Sequence, residues 1–151
     1  MKTSENLFFS NANYRLYYIQ DSNVLIVESY GYIKLETAQE AWTTATDKAA
    51  EYQVRRWISD EVQVELVSPE ASKWWINEWY PTNQKRLGFK KKTLTATILS
   101  KRFYAEMSTK MAATKTLHYE AKVGQQNKHL EHLYFQSLEE AYAWIVSHQE
   151  A

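Results

Sequence analysis

Residues 55–70 read Arg55-Arg56-Trp57-Ile58-Ser59-Asp60-Glu61-Val62-Gln63-Val64-Glu65-Leu66-Val67-Ser68-Pro69-Glu70. Arg55 to Val64 holds Trp57, Ile58, Val62 and Val64, a short apolar run that suits a buried strand. Three start signals for a helix follow in succession. Ser68 is of the N-cap type. Pro69 has its φ preset for the first helical position and lacks an N–H that would go unbonded there. Glu70 sets a negative charge at the positive end of the helix dipole. A strand feeding directly into a helix is the crossover unit of a parallel sheet, so the flanking sequence should alternate strands with helices.

Upstream, Tyr14 to Gln20 and Val24 to Gly31 are rich in β-formers and flank the turn signal Asp21-Ser22-Asn23, which reads as a hairpin. From Lys34 the rhythm changes. Leu35, Ala38, Ala41, Trp42, Ala45, Ala49 and Tyr52 recur at three- and four-residue spacing, which predicts an amphipathic helix ending near Gln53. Downstream, the helix opened by Pro69 carries Ala71, Trp74, Trp75, Ile76 and Trp79 and is expected to stop before Pro81. Thr93 to Leu99 alternates as a strand, with Thr93, Thr95 and Thr97 on one side and Leu94, Ala96 and Ile98 on the other. Phe103, Met107 and Met111 mark a further helix. After Gly124-Gln125-Gln126-Asn127, Leu130 to Phe135 forms a fifth strand. Ser137 then caps a last helix, with Glu140 at the capping-box position. The order β-β-α-β-α-β-α-β-α predicts an α/β domain with a mixed, mostly parallel five-stranded sheet and about four helices. Residues 1–12 read as a short N-terminal extension and 13–151 as the domain.

The 151 residues carry 18 Lys plus Arg against 18 Asp plus Glu and no Cys. A chain of this length buries roughly 70% of its unfolded surface and needs no disulfide or structural metal. Zero formal charge argues against nucleic acid and polybasic membrane partners, and the lack of Cys removes thiolate metal sites and Cys nucleophiles. The N-terminus holds no long apolar run, so neither a secretory signal nor a membrane span is expected and a cytoplasmic setting is the default. The neutral total is lopsided. Seven cations and no acid fall between Lys85 and Arg102, whereas ten acids face five bases between Glu28 and Glu78.

No catalytic constellation, metal site or cofactor motif emerges. His118, His129, His132 and His148 are scattered, and His129 and His132 lack a spacing that aims both rings at one ion. Asp60 and Glu61, expected near a strand's C-terminal end, are adjacent in extended chain and point to opposite faces, so they make no acid/base dyad unless the chain bends. In the aromatic helix, Trp75 and Trp79 lie one turn apart and can share a core-facing stripe, while Trp74 sits about 100° around from Trp75.

The string Ser68-Pro69-Glu70 with Trp75, Trp79, Pro81, Gly88, Lys91, Ala96 and Phe103, followed by Phe135-Gln136-Ser137-Leu138-Glu139-Glu140-Ala141 and Trp144, resembles small bacterial STAS-like proteins of the SpoIIAA-like branch. The resemblance spans Tyr14 to Ile145. It implies a non-enzymatic protein-interaction module with a protein partner such as a kinase or anti-sigma-like regulator. It also implies a regulatory phosphosite at the start of the second helix, where this chain has Ser68. The family's switch motif there is Asp-Ser-Ser-Gly or a near variant. This chain has Val67-Ser68-Pro69-Glu70, without the glycine and with Glu65 and Glu70 adding negative charge, so a plain N-cap role for Ser68 stands beside the phosphoswitch. The interaction surface expected on this basis is Asp60, Glu70, Lys73 and Trp74. The resemblance also touches lipid-exchange CRAL-TRIO proteins, which implies an alternative: a carrier of a small apolar ligand, with a pocket beneath Trp74, Trp79 and Met107. An exposed Trp and open strand edges would also permit a homodimer.

Overall fold

Six segments of alternating or continuous apolar sequence pair into one sheet with the spatial order β1-β2-β3-β4-β5-β6. The structure is a computed structural model that describes residues 1–87, 93–103 and 130–147, with residues 84, 85, 130 and 131 described by backbone alone. The strands are β1 (Leu7–Ser10), β2 (Tyr14–Ile19), β3 (Val24–Ile33), β4 (Arg56–Val67), β5 (Thr93–Ile98) and β6 (Leu130–Phe135). The pairs β1/β2 and β2/β3 are antiparallel, whereas β3/β4, β4/β5 and β5/β6 are parallel. The mixed, mostly parallel α/β fold is as expected, but the described residues form six strands rather than five. The added strand, β1, lies in the segment read as an N-terminal extension. Leu7-Phe8-Phe9-Ser10 is too short to declare a period, and it gains its strand conformation by pairing with β2.

Helix α1 (Leu35–Tyr52) buries Ala38, Ala41, Ala45, Thr46 and Ala49. This small-residue stripe lets its axis approach the sheet closely, leaving room beside it for larger rings. Gln53 ends the helix in the left-handed region at φ 54°. The entry to α1 is fixed by Asn13. Its side-chain amide donates to the carbonyls of Tyr30 (3.1 Å) and Tyr32 (2.9 Å) and accepts from Thr37 Oγ1 at 2.6 Å. These bonds clasp the irregularity at Gly31, where φ is +76° and a side chain would be strained.

The Trp-rich helix differs from expectation. It runs through Pro81 in three contiguous parts: α2 (Pro69–Trp74), a π-helical segment π1 (Trp75–Trp79) and α3 (Tyr80–Arg86). Proline cannot donate an N–H and its ring crowds the carbonyl four residues back. Here the crowded turn is widened, since Tyr80 N–H bonds to the carbonyl of Trp75, five residues earlier. Asn83 Nδ2 then satisfies the Trp79 carbonyl at 2.8 Å. A π bulge thus absorbs the proline that would otherwise end the helix.

The helices cover opposite faces of the sheet. Helix α1 and the Trp-rich helix lie over Tyr14, Leu16, Leu25, Val27 and Trp57, while α4 (Leu138–Ser147) buries Ala141 and Ile145 against Val24, Ile26, Ile58, Ala96 and Ile98. Ser137 Oγ accepts from Glu140 N–H at 3.2 Å, the cap that the sequence predicts. The expected helix through Met107 and Met111 falls largely outside the described residues; residues 101–103 are helical. No helix among the described residues is long and apolar enough to cross a membrane.

Candidate functional site

Beneath the Trp-rich helix the α1 face of the sheet holds a partly open cavity of about 370 Å³. Its lining combines a cluster of indoles with a set of polar side chains. The helical wall and the adjoining strands supply Trp42 from α1, Trp57 from β4, and Trp75 and Trp79 from π1. The i, i+4 spacing within a π turn keeps Trp75 and Trp79 nearly in line, and their rings stack with centroids 5.0 Å apart and planes 22° apart. Trp42 packs against Trp79 at 4.9 Å and edge-on to Trp75 at 5.8 Å, and Trp57 meets Trp79 at 6.3 Å in a T-shaped contact. Trp79 Nε1–H donates to Thr46 Oγ1 at 2.9 Å, which anchors this wall to α1.

The strands also supply the polar groups of the lining. Ser59 and Glu61 come from β4, Thr93, Thr95 and Thr97 from β5, and His132 and Tyr134 from β6. Parallel registry places Ser59 beside Thr97, Thr95 beside His132, and Thr97 beside Tyr134. The threonine side of β5 expected from its alternation is thus the cavity side, and its Leu94, Ala96 and Ile98 side packs against α4. Thr97 Oγ1 and His132 Nε2 lie 2.6 Å apart, and the imidazole stacks on Tyr134 at 4.8 Å.

Burial sets the ionisation of this wall. Desolvation pushes His132 down to about 4, so the ring is neutral at physiological pH. That makes it a feeble base, and its contact with Thr97 orients the ring rather than activating the hydroxyl. Desolvation raises Glu61; the hydrogen bond it accepts from Ser59 Oγ at 2.9 Å opposes the shift, and the charge of Asp60 adds to it. Tyr134 is pushed up to about 12 by burial and then by the charge of Glu61. Tyr14 likewise reaches about 12 through burial, lowered somewhat by a hydrogen bond with Trp42 and raised by Glu61.

Asp60 and Glu61 do separate to opposite faces. Asp60 is buried beside its β3 neighbour Glu28, and Lys2 Nζ bridges them at 2.7 Å to each carboxylate. Both acids lie within β4 rather than near its end, because the strand continues to Val67. Beyond Asp60 it pairs only with β3, and this two-stranded extension brings Ile33, Val64 and Val67 around the mouth of the cavity.

Ser68 is 3% exposed, and its Oγ accepts from Ala71 N–H at 3.2 Å. Glu70 and Lys73 are exposed and Trp74 is half-buried, so these three share the outer side of the helix start while Asp60 lies on the far face of the sheet. Trp79 lines the cavity, whereas the indole beside it is Trp75 and not Trp74. Met107 lies outside the described residues. Nothing in the local sequence marks Trp42 and Trp57 as cavity residues; one reads as helix stripe and the other as strand core, and only the packing of α1 on the sheet brings them together. Among the described residues no group of three His, Asp or Glu is placed to hold a metal ion.

An open α/β sheet of this order, flanked by α1 and the Trp-rich helix on one face and by α4 on the other, is a SpoIIAA-like fold. Among solved structures the chain is similar to an uncharacterised protein of the DUF3478 family with a SpoIIAA-like fold from Shewanella loihica. The match has a TM-score of 0.57 and 15% sequence identity, and it covers 91% of this chain and 98% of the other. No protein-family model matches the chain, and no curated protein matches it.

Proposed function

We propose that this domain is a non-enzymatic, cytoplasmic binding module that takes a small, mainly apolar ligand in the cavity beneath its Trp-rich helix. The observation that carries the reading is the cavity itself, of about 370 Å³, whose lining joins four indoles to several hydroxyls, Glu61 and His132. Pockets of roughly 300–1,000 Å³ with a broad apolar lining and a few convergent polar groups are the usual form of small-molecule sites. The test is a titration with N-phenyl-1-naphthylamine, a neutral dye that brightens in apolar surroundings. Wild type should bind it saturably, and Thr95→Phe, which fills the cavity from the sheet side, should abolish binding while leaving the fold intact. Equal dye binding by both proteins contradicts the reading.

A protein-docking role is favoured by a different observation: Glu70 and Lys73 are exposed beside the half-buried Trp74 at the start of α2. Ser68 contributes to this surface as a cap that fixes its shape, since its hydroxyl is buried and engaged. A regulatory kinase acting there would incorporate phosphate that Ser68→Ala loses. Incorporation that persists in Ser68→Ala excludes the switch.

A further inference from the structure

The charges in the cavity are one-sided. Among the described residues, its lining contains the carboxylate of Glu61 and no Lys or Arg. Glu61 accepts a hydrogen bond from the neutral Ser59 Oγ and takes part in none of the ion pairs found among the described residues. The neighbouring charge is Asp60, itself negative and already engaged by Lys2 on the opposite face. His132 adds no cation, because burial keeps its ring neutral. Glu61 shares the cavity lining with Tyr14 and Tyr134, and its charge raises both phenols. Desolvation without a counter-ion favours the neutral carboxyl of this half-buried residue, and an incoming positive charge would restore and pair the ionised form.

The indoles of the lining have the same electrostatic preference. Trp42, Trp57, Trp75 and Trp79 form one contiguous indole cluster on the cavity. Indole faces carry negative quadrupole density and attract weakly hydrated cations, most of all where water is excluded. An anionic head group would meet Glu61 with no cation to offset it. A purely neutral ligand would offer Glu61 a hydrogen bond at most and no counter-charge.

We infer that the cavity selects an organic cation, an amine or quaternary ammonium on a small aliphatic or aromatic body, with Glu61 as its counter-charge and the four indoles as its cage. This rests on the cavity reading above and specifies the ligand class. The test uses three probes that share a benzyl body, benzyltrimethylammonium, benzyl alcohol and phenylacetate, each titrated against tryptophan fluorescence. In wild type the cation should bind at least about tenfold more tightly than the alcohol, with phenylacetate weakest. Glu61→Gln should lose about tenfold for the cation while keeping its affinity for the alcohol within about twofold. The alcohol or phenylacetate matching the cation in wild type overturns the inference, as does an unchanged cation preference in Glu61→Gln. The wild-type ranking decides the matter even if the variant fails to fold. If none of the three probes binds while N-phenyl-1-naphthylamine still binds in a Thr95→Phe-sensitive way, the cation assignment alone falls. If the dye is also insensitive to Thr95→Phe, the cavity reading falls with it.

Discussion

Trp79 Nε1 donates a 2.9 Å hydrogen bond to Thr46 Oγ1, and Thr46 in turn donates to the Trp42 carbonyl at 2.7 Å within α1. One threonine hydroxyl therefore ties the π-helical roof of the cavity to the helix beside it. Thr46→Val keeps the shape but strands a buried indole N–H, which should cost about 1–3 kcal/mol in urea unfolding. The same variant should weaken N-phenyl-1-naphthylamine binding. Stability and dye affinity both at the wild-type level would show that this bond does not hold the roof.

Ser68 joins β4 to α2 as a buried cap. Ser68→Ala should cost about 1 kcal/mol, and Ser68→Asn or Ser68→Thr should recover part of it, because either can still accept from a backbone N–H. A chemical-denaturation series checks the order. Ser68→Ala with unaltered stability would remove the capping role.

Lys2 clasps Glu28 and Asp60, which are 7% and 5% exposed, across the β3/β4 register. Lys2→Met leaves two like charges side by side in a buried setting. Because Lys2 is itself partly exposed, the expected loss is roughly 1–3 kcal/mol, less than for a fully buried pair. Desolvation lowers the Lys2 pKa, but hydrogen bonds and charge from Asp60 and Glu28 outweigh it and raise the net value above 10.5. The ion pair therefore stabilises fully below 10.5 and fades as pH climbs through the raised value. The gap between wild type and Lys2→Met should stay constant at neutral pH and close in strong alkali. A gap that does not change in strong alkali would contradict the assignment.

His132 works in the other direction along the pH axis. Its value falls from 6.5 to about 4 on folding, so the unfolded chain takes up a proton before the folded one does. Stability should therefore drop as pH falls from 6.5 towards 4, by roughly 2–3 kcal/mol from this group. Glu61, raised by burial, has the opposite sign, since its contribution is lost as pH rises through its shifted value. The difference between wild type and His132→Asn isolates the histidine. It should shrink on acidification; a difference that does not vary with pH would mean that His132 ionises in the folded protein as it does in water.

Much of the architecture is written in local sequence. The alternation of Thr93 to Ile98 gives both faces of β5, Ser137 and Glu140 give the start of α4, and Ser68-Pro69-Glu70 gives the crossover. What escapes is decided at longer range. β1 exists because β2 offers it a free edge, and the helix passes Pro81 because a π turn relieves it. The cavity is the clearest case. Trp42 and Trp57 are 15 positions apart and sit on different elements, and only helix-on-sheet packing sets their rings 6.3 Å apart. The parting of Asp60 and Glu61 follows from strand geometry, but the residue that each would meet does not.

The six indole N–H groups of the chain report on the cavity directly, because Trp42, Trp57, Trp75 and Trp79 line it while Trp74 and Trp144 do not. A titration of 15N-labelled protein with N-phenyl-1-naphthylamine, followed through the assigned indole resonances, should shift the four cavity indoles together and leave Trp74 and Trp144 near their starting positions. Shifts confined to Trp74 or Trp144, or no shift in any cavity indole at saturating dye, would contradict a ligand site beneath the Trp-rich helix.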